Sequence, residues 1–342
     1  MGVGNAMGAV LRVGLGFLPV GFFLAGLMGL DSFKLVRMRL ILWMLACGVL
    51  AAGASYAANR LLVEVGHVDS NMLRRFAAPF IEECLKGLPL LLLLRSGRSG
   101  FIVDAAIYGF AMGAGFAFVE NIYYFLSLPQ ASVALWIVRG FGTAVMHGGT
   151  TAILAMTTKA LFDRNESTAW FLALPGLVVA LGIHGTFNAF LLPPIWSAVA
   201  VLLILPPLMF LAFGQSETYL RGWLGRGFDL HADLLEAIQS GSFSDTRPGR
   251  YLLVFKDHFD GPIMADMLCY LRLCTELSLQ AKGMLMLREN GLPVRKDPEL
   301  GEKLAELRYL RNSIGRTGEM ALSPLLQLKN HDLWQLENMQ ET

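Results

Sequence analysis

Apolar runs of about twenty residues, separated by short polar clusters, repeat along the first two-thirds of the chain. A helix needs about 20 mostly apolar residues to cross the hydrocarbon core of a bilayer. The pattern therefore predicts spans at Val13–Leu30, Leu40–Leu62, Phe76–Leu94, Ile102–Leu126, Val133–Ala160, Ala169–Leu192 and Ile195–Phe213. Pro206-Pro207 should kink the last of them. From about Gln215 the pattern becomes that of amphipathic helices. Ile263, Met267, Leu271 and Cys274 recur at helical spacing, as do Leu300, Leu304, Leu307 and Leu310. Ser240–Gly249 reads as a loop, and Leu322–Met339 as a last helix. The expected fold is all-α: a polytopic membrane bundle of about seven transmembrane helices in residues 1–214, then a helical cytoplasmic domain in 215–342.

Composition agrees. Charged residues make up 16% of the chain, against about 25% in soluble domains, and 18 of the 27 acidic residues lie after position 214. A net charge of +1 gives no argument for nucleic acid. The four cysteines have neither metal-finger nor disulfide spacing and read as reduced, Cys84 as a buried packing thiol. Basic residues follow alternate spans: Lys34, Arg37 and Arg39; Arg95 and Arg98; Lys159 and Arg164; Arg221 and Arg226. The intervening segments Ser127–Ser132 and Pro193-Pro194 carry no charge, and only the loop with Arg60, Arg74 and Arg75 departs from the pattern. The positive-inside rule then puts the N-terminus outside and the C-terminus in the cytoplasm.

Polar residues within the spans point to chemistry. A charge at mid-bilayer costs at least about 2.5 kcal/mol and usually marks function. Span three holds Glu82, Glu83 and Lys86, with either carboxylate placed to pair with the ammonium three or four residues on. Span four holds Glu120 and Asn121, span five His147, and span six His184 and Asn188. Arg139, near the outer end of span five, reads as snorkelling to the interface, apart from the site. At about 1.5 Å of rise per residue, Glu82, Glu120 and His184 share a level roughly 9–12 Å below the outer surface, with His147 deeper. Separate structural clamps have no reason to share a depth; convergence on one cavity explains it.

Two mechanisms suit these groups. In one, Glu82 or Glu83 is general base to a water, His147 or His184 moves protons, and Asn188 helps hold the oxyanion. In the other, His147, His184 and a carboxylate, Glu83, bind a divalent metal, Zn2+, that activates the water. No HExxH motif is present. The ordered set Glu82-Glu83-x-x-Lys86, Gly115-Phe-Ala-Phe-Val-Glu-Asn121, His147 and His184-x-x-Phe-Asn188 resembles the PrsW family of intramembrane proteases, over roughly residues 70–192. More distantly it is similar to the CAAX-processing and bacteriocin-processing membrane proteases. The resemblance implies hydrolysis of a membrane-anchored, single-pass protein, an anti-sigma factor being the best-known type. It also implies a bacterial cytoplasmic (inner) membrane. The family is labelled metalloprotease while relatives are argued to use glutamate, so both mechanisms stay open. The rival readings are a proton-coupled carrier and a non-catalytic receptor or scaffold. A carrier predicts an inverted repeat with paired broken helices, and none is visible.

Overall fold

The computed structural model describes residues 3–31, 33, 36–165, 167–293 and 297–326, and among these all regular structure is helical. In chain order the elements are α1 (Val3–Gly29), α2 (Met38–Glu64), α3 (Ser70–Met72), a π-helical segment (Leu73–Ala77) and α4 (Ala78–Arg95). There follow α5 (Ile102–Ser127), α6 (Val133–Ile137), a second π-helical segment (Val138–Ala144), α7 (Val145–Asn165), a 3-10 turn (Trp170–Ala173) and α8 (Leu174–Asn188). The long α9 (Pro194–Gln239) precedes α10 (Arg247–Leu253), α11 (Gly261–Glu289) and α12 (Leu300–Leu326).

Among the described residues, five helical stretches are long and apolar enough to cross a bilayer: Gly8–Gly29, Met38–Glu64, Ile102–Ser127, Trp170–Asn188 and Pro194–Gly222. The two remaining expected spans are helical as well, but each is altered by its polar content. α4 carries Glu82, Glu83, Lys86 and Arg95, and the 133–165 stretch is divided by its π-helical segment. The chain is thus an all-α integral membrane protein. Pro206-Pro207 lies inside α9, which continues well beyond the expected end at Phe213. The chain separates into two compact units, 1–216 and 217–342, the boundary falling within this helix.

In the first unit the core is α5, buried without interruption from Asp104 to Ala117. A helix apolar on all sides belongs inside a bundle. Small residues let its neighbours come close: a Cβ at Gly113 would overlap the His147 carbonyl of α7, and one at Gly115 would overlap the Leu45 carbonyl of α2. Such contacts are how membrane helices pack without a solvent-driven force. At its start, the Asp104 carboxylate reaches back from the third helical position and accepts from the Gly100 and Phe101 amides (2.6 and 3.1 Å), which fixes the turn leading into the helix.

In the second unit Met267, Leu271, Cys274 and Leu277 of α11 pack with Leu307, Leu310, Ile314 and Leu322 of α12. The helical spacing read from the sequence is the spacing of this core. α12 is broken at Gly315, whose φ of 63° leaves the helical region. Of the last helix expected at Leu322–Met339, residues 322–326 end α12 and 327–339 lie outside the described residues.

Candidate active site

The site is assembled from α4, α5, α7 and α8, together with the π-helical segment before α7. π-helical turns occur often at functional sites, and here one precedes each of the helices bearing Glu82 and His147. On α4 the two adjacent carboxylates diverge. Glu83 is fully buried and binds Lys86 Nζ at 2.5 Å, so of the two possible pairings the i,i+3 one forms. Glu82 stays partly exposed, its side chain 15% accessible.

Glu83 Oε1 also accepts from His184 Nδ1 at 2.7 Å and from the Thr150 hydroxyl at 3.4 Å. That bond calls for a proton on His184 Nδ1, and Nε2 lies 3.6 Å from Glu82 Oε2. Across the site, Lys86 Nζ lies 3.3 Å from His147 Nδ1 and 4.9 Å from the centre of the Phe116 ring. An ammonium can only donate, so a neutral His147 carries its proton on Nε2, which meets Glu120 Oε2 at 2.9 Å. The two imidazoles stand edge to face, their centres 4.8 Å apart.

Glu120 is gripped from its other side by Arg139, with Nη2 3.1 Å from Oε2 and Nη1 3.3 Å from Oε1. Arg139 Nε donates to Asn121 Oδ1 (2.8 Å), and Asn121 Nδ2 donates to the Gly16 carbonyl of α1 (2.6 Å). The guanidinium carbon sits over the Tyr124 ring, 4.0 Å from its centre, within cation–π reach. A single network thus joins Glu82, His184, Glu83, Lys86, His147, Glu120, Arg139 and Asn121.

Four placements differ from the sequence expectations. Arg139 is buried in the network rather than extended to the interface, because two polar groups on α5 face it. Asn188 is not in the network: α8 ends there, about 6 Å beyond His184, and its amide meets the Arg74 carbonyl at 3.5 Å. His147 is not a deeper, separate group: α5 and α7 approach closely at Gly113, and His147 Nε2 lies 2.9 Å from Glu120 Oε2. Finally, Glu83 is occupied by Lys86 and His184, and the carboxylate that gathers with the histidines is Glu82. Among the charged residues of the network, Arg139 is the one that the sequence sets apart from the site. Its four-per-turn register with Thr143 and His147 was the available signal.

Glu82, His147 and His184 each offer one ligand atom, all within 4.8 Å of one another. Two histidines and a carboxylate are a donor set of catalytic zinc sites. The Glu83–His184 bond is the outer-shell contact that orients a ligating imidazole. The residues present therefore fit a metal. To ligate through Nε2, His147 would carry its proton on Nδ1 instead, with the Lys86 ammonium turned away from that nitrogen toward Glu83.

The charge balance points the same way. Three carboxylates face two fixed cations, Lys86 on Glu83 and Arg139 on Glu120. Among the described residues no lysine or arginine lies within ion-pair distance of Glu82. The network is left with one negative charge to be met by a proton or by a cation.

A buried, charged network of carboxylates and imidazoles inside a helical membrane bundle is a membrane-embedded site for proton transfer or metal binding. Comparison with protein families assigns residues 36–212 to the PrsW family of intramembrane metalloproteases. The match spans just over half of the chain, which belongs to this family and is a peptide hydrolase of the membrane. No curated protein and no solved structure matches the chain.

Proposed function

We propose that the chain is an endopeptidase that cuts a single-pass, membrane-anchored protein near its extracytoplasmic face, with Glu82, His147 and His184 holding a zinc ion. The observation that carries this is the convergence of those three donors, one of them a carboxylate with no lysine or arginine within ion-pair distance among the described residues. Bound zinc supplies a polarised carbonyl and a water whose pKa falls to about 7.

The protein groups supply the rest. Glu120, its side chain 28% accessible and its orientation held by Arg139, takes a proton from the attacking water. It then returns that proton to the leaving amine nitrogen, so the acid and base roles fall to one carboxylate in sequence. Glu83 and Lys86 keep His184 in the required tautomer and take no part in proton transfer. Asn121 ties the Arg139 end of the site to α1.

The one-sided basic loops support an N-terminus outside and residues 217–342 in the cytoplasm of a bacterium, with the site in the outer half of the membrane. An anti-sigma factor is the substrate type that the family likeness suggests. Co-expression of the chain with candidate single-pass proteins tests the reading. Cleavage by wild type should be lost in His184→Ala, be blocked by a chelator and return with zinc. Unchanged cleavage in His184→Ala would exclude this site.

A further inference from the structure

A groove of about 220 Å³ opens between α4, α7 and the Trp170–Asn188 stretch. Glu83 lies at one end, and its walls are Leu91 and Leu94 of α4, Leu154 of α7, and Ala173 and Leu177. Its direction is set by the helices. Leu90, Leu154 and Leu177 are each seven residues from Glu83, His147 and His184 respectively. All three therefore lie about 10 Å from the site, and all toward the Arg95 end of α4. Leu94 extends the groove to about 16 Å, three turns of helix.

We infer that this groove receives the membrane segment of the substrate itself. The inference rests on the protease reading above. The groove reaches the site at Glu83, the neighbour of Glu82 on α4 and the partner of His184. A substrate cut at the site whose chain continues toward the Arg95 end of α4 has this groove as the path for its next residues. The groove walls come from the three helices that carry Glu82, His147 and His184, and apart from Glu83 and Cys84 at the site end and Thr158 at the far end they are apolar. An apolar cavity of about 150 Å³ takes a benzene-sized group, so this one accepts one or two bulky side chains from a helix laid across it. Side chains three or four apart on that helix share the face needed. The preferred substrate thus carries large apolar residues one to three turns from the scissile bond, on its membrane side.

The experiment uses the full-length chain in liposomes and a lysine-flanked Leu/Ala peptide with a span of about 20 residues. The peptide carries a polar extension, with a fluorophore and quencher bracketing the junction; the extension alone is the control. Ala173→Trp, which fills the groove, should lower kcat/KM on the spanning peptide about tenfold or more and leave cleavage of the extension unchanged. Independently, a benzophenone group in place of Leu91, in a chain also bearing Glu120→Gln, should cross-link to the apolar span of the peptide. Equal cleavage of the spanning peptide by Ala173→Trp and wild type would overturn the inference, as would cross-links to lipid only. If wild type cuts neither peptide, it is the protease reading that fails, and the cross-link alone decides whether the groove holds a helix.

Discussion

At the scale of single residues, the informative group is Arg139. An arginine nine-tenths buried at membrane depth has to be matched, and here both guanidinium edges are used on Glu120 and Asn121. If Arg139 aims Glu120, Arg139→Gln should lower kcat about a hundredfold, the scale of losing one oriented polar contact in a site. Arg139→Lys keeps the charge but not the fork, and should recover only part of that loss. Equal activity in all three proteins would remove Arg139 from the mechanism. Lys86 is a different case. Lys86→Met would strand the fully buried Glu83, and breaking such a pair costs about 3–5 kcal/mol. The expected result is a sharply lower unfolding midpoint in detergent; an unchanged midpoint would contradict the pairing.

Much of the site was legible before the fold was known, because ionisable groups in apolar spans are conspicuous. Glu82, Glu83, Lys86, Glu120, His147 and His184 were all visible in that way, and the structure brings them together. What could not be read was which of two adjacent glutamates turns inward. That depends on helix rotation, which the uniformly apolar face of α4 does not specify. Arg139 was misjudged for a related reason: snorkelling is the default for a cation near a span end, and its partners lie on another helix. Asn188 shared a face with His184 by spacing, but spacing does not say where α8 stops.

At the scale of elements, the α5–α7 contact sets the position of His147 against Glu120. Since a Cβ at Gly113 would overlap the His147 carbonyl, Gly113→Ala must push these helices apart. A shift of about 1 Å at a catalytic centre can cost about a hundredfold in rate. Gly113→Ala should therefore lose activity on that scale while inserting normally, whereas retained activity would mean the contact is slack. In the second unit, His231 of α9 faces Lys282 of α11 at 3.3 Å. Burial, with help from the Lys282 ammonium, lowers the pKa of His231 from 6.5 to about 4. Its unfolded state therefore binds the proton first as the pH falls. Stability from this group is full above about 6.5 and declines toward pH 4, by about 1.4 kcal/mol per pH unit. Hydrogen exchange of the 267–285 segment should accelerate over that window in wild type and less so in His231→Leu.

At the scale of the whole molecule, the five apolar helices and the family place the protein in a bilayer, and the loop charges give the orientation to be tested. A reporter active only in the cytoplasm should work when fused after Phe213 and be silent when fused at Pro129. The opposite pattern would move the site to the inner half of the membrane. The central claim is more specific: Glu82 belongs to the metal and Glu120 to the proton. The direct test is zinc content per chain, measured beside cleavage, in purified wild type, Glu82→Gln and Glu120→Gln. The account predicts about one zinc in wild type, loss of both metal and cleavage in Glu82→Gln, and loss of cleavage with zinc retained in Glu120→Gln. Active wild-type protein free of zinc, or Glu82→Gln that keeps its zinc, would contradict it.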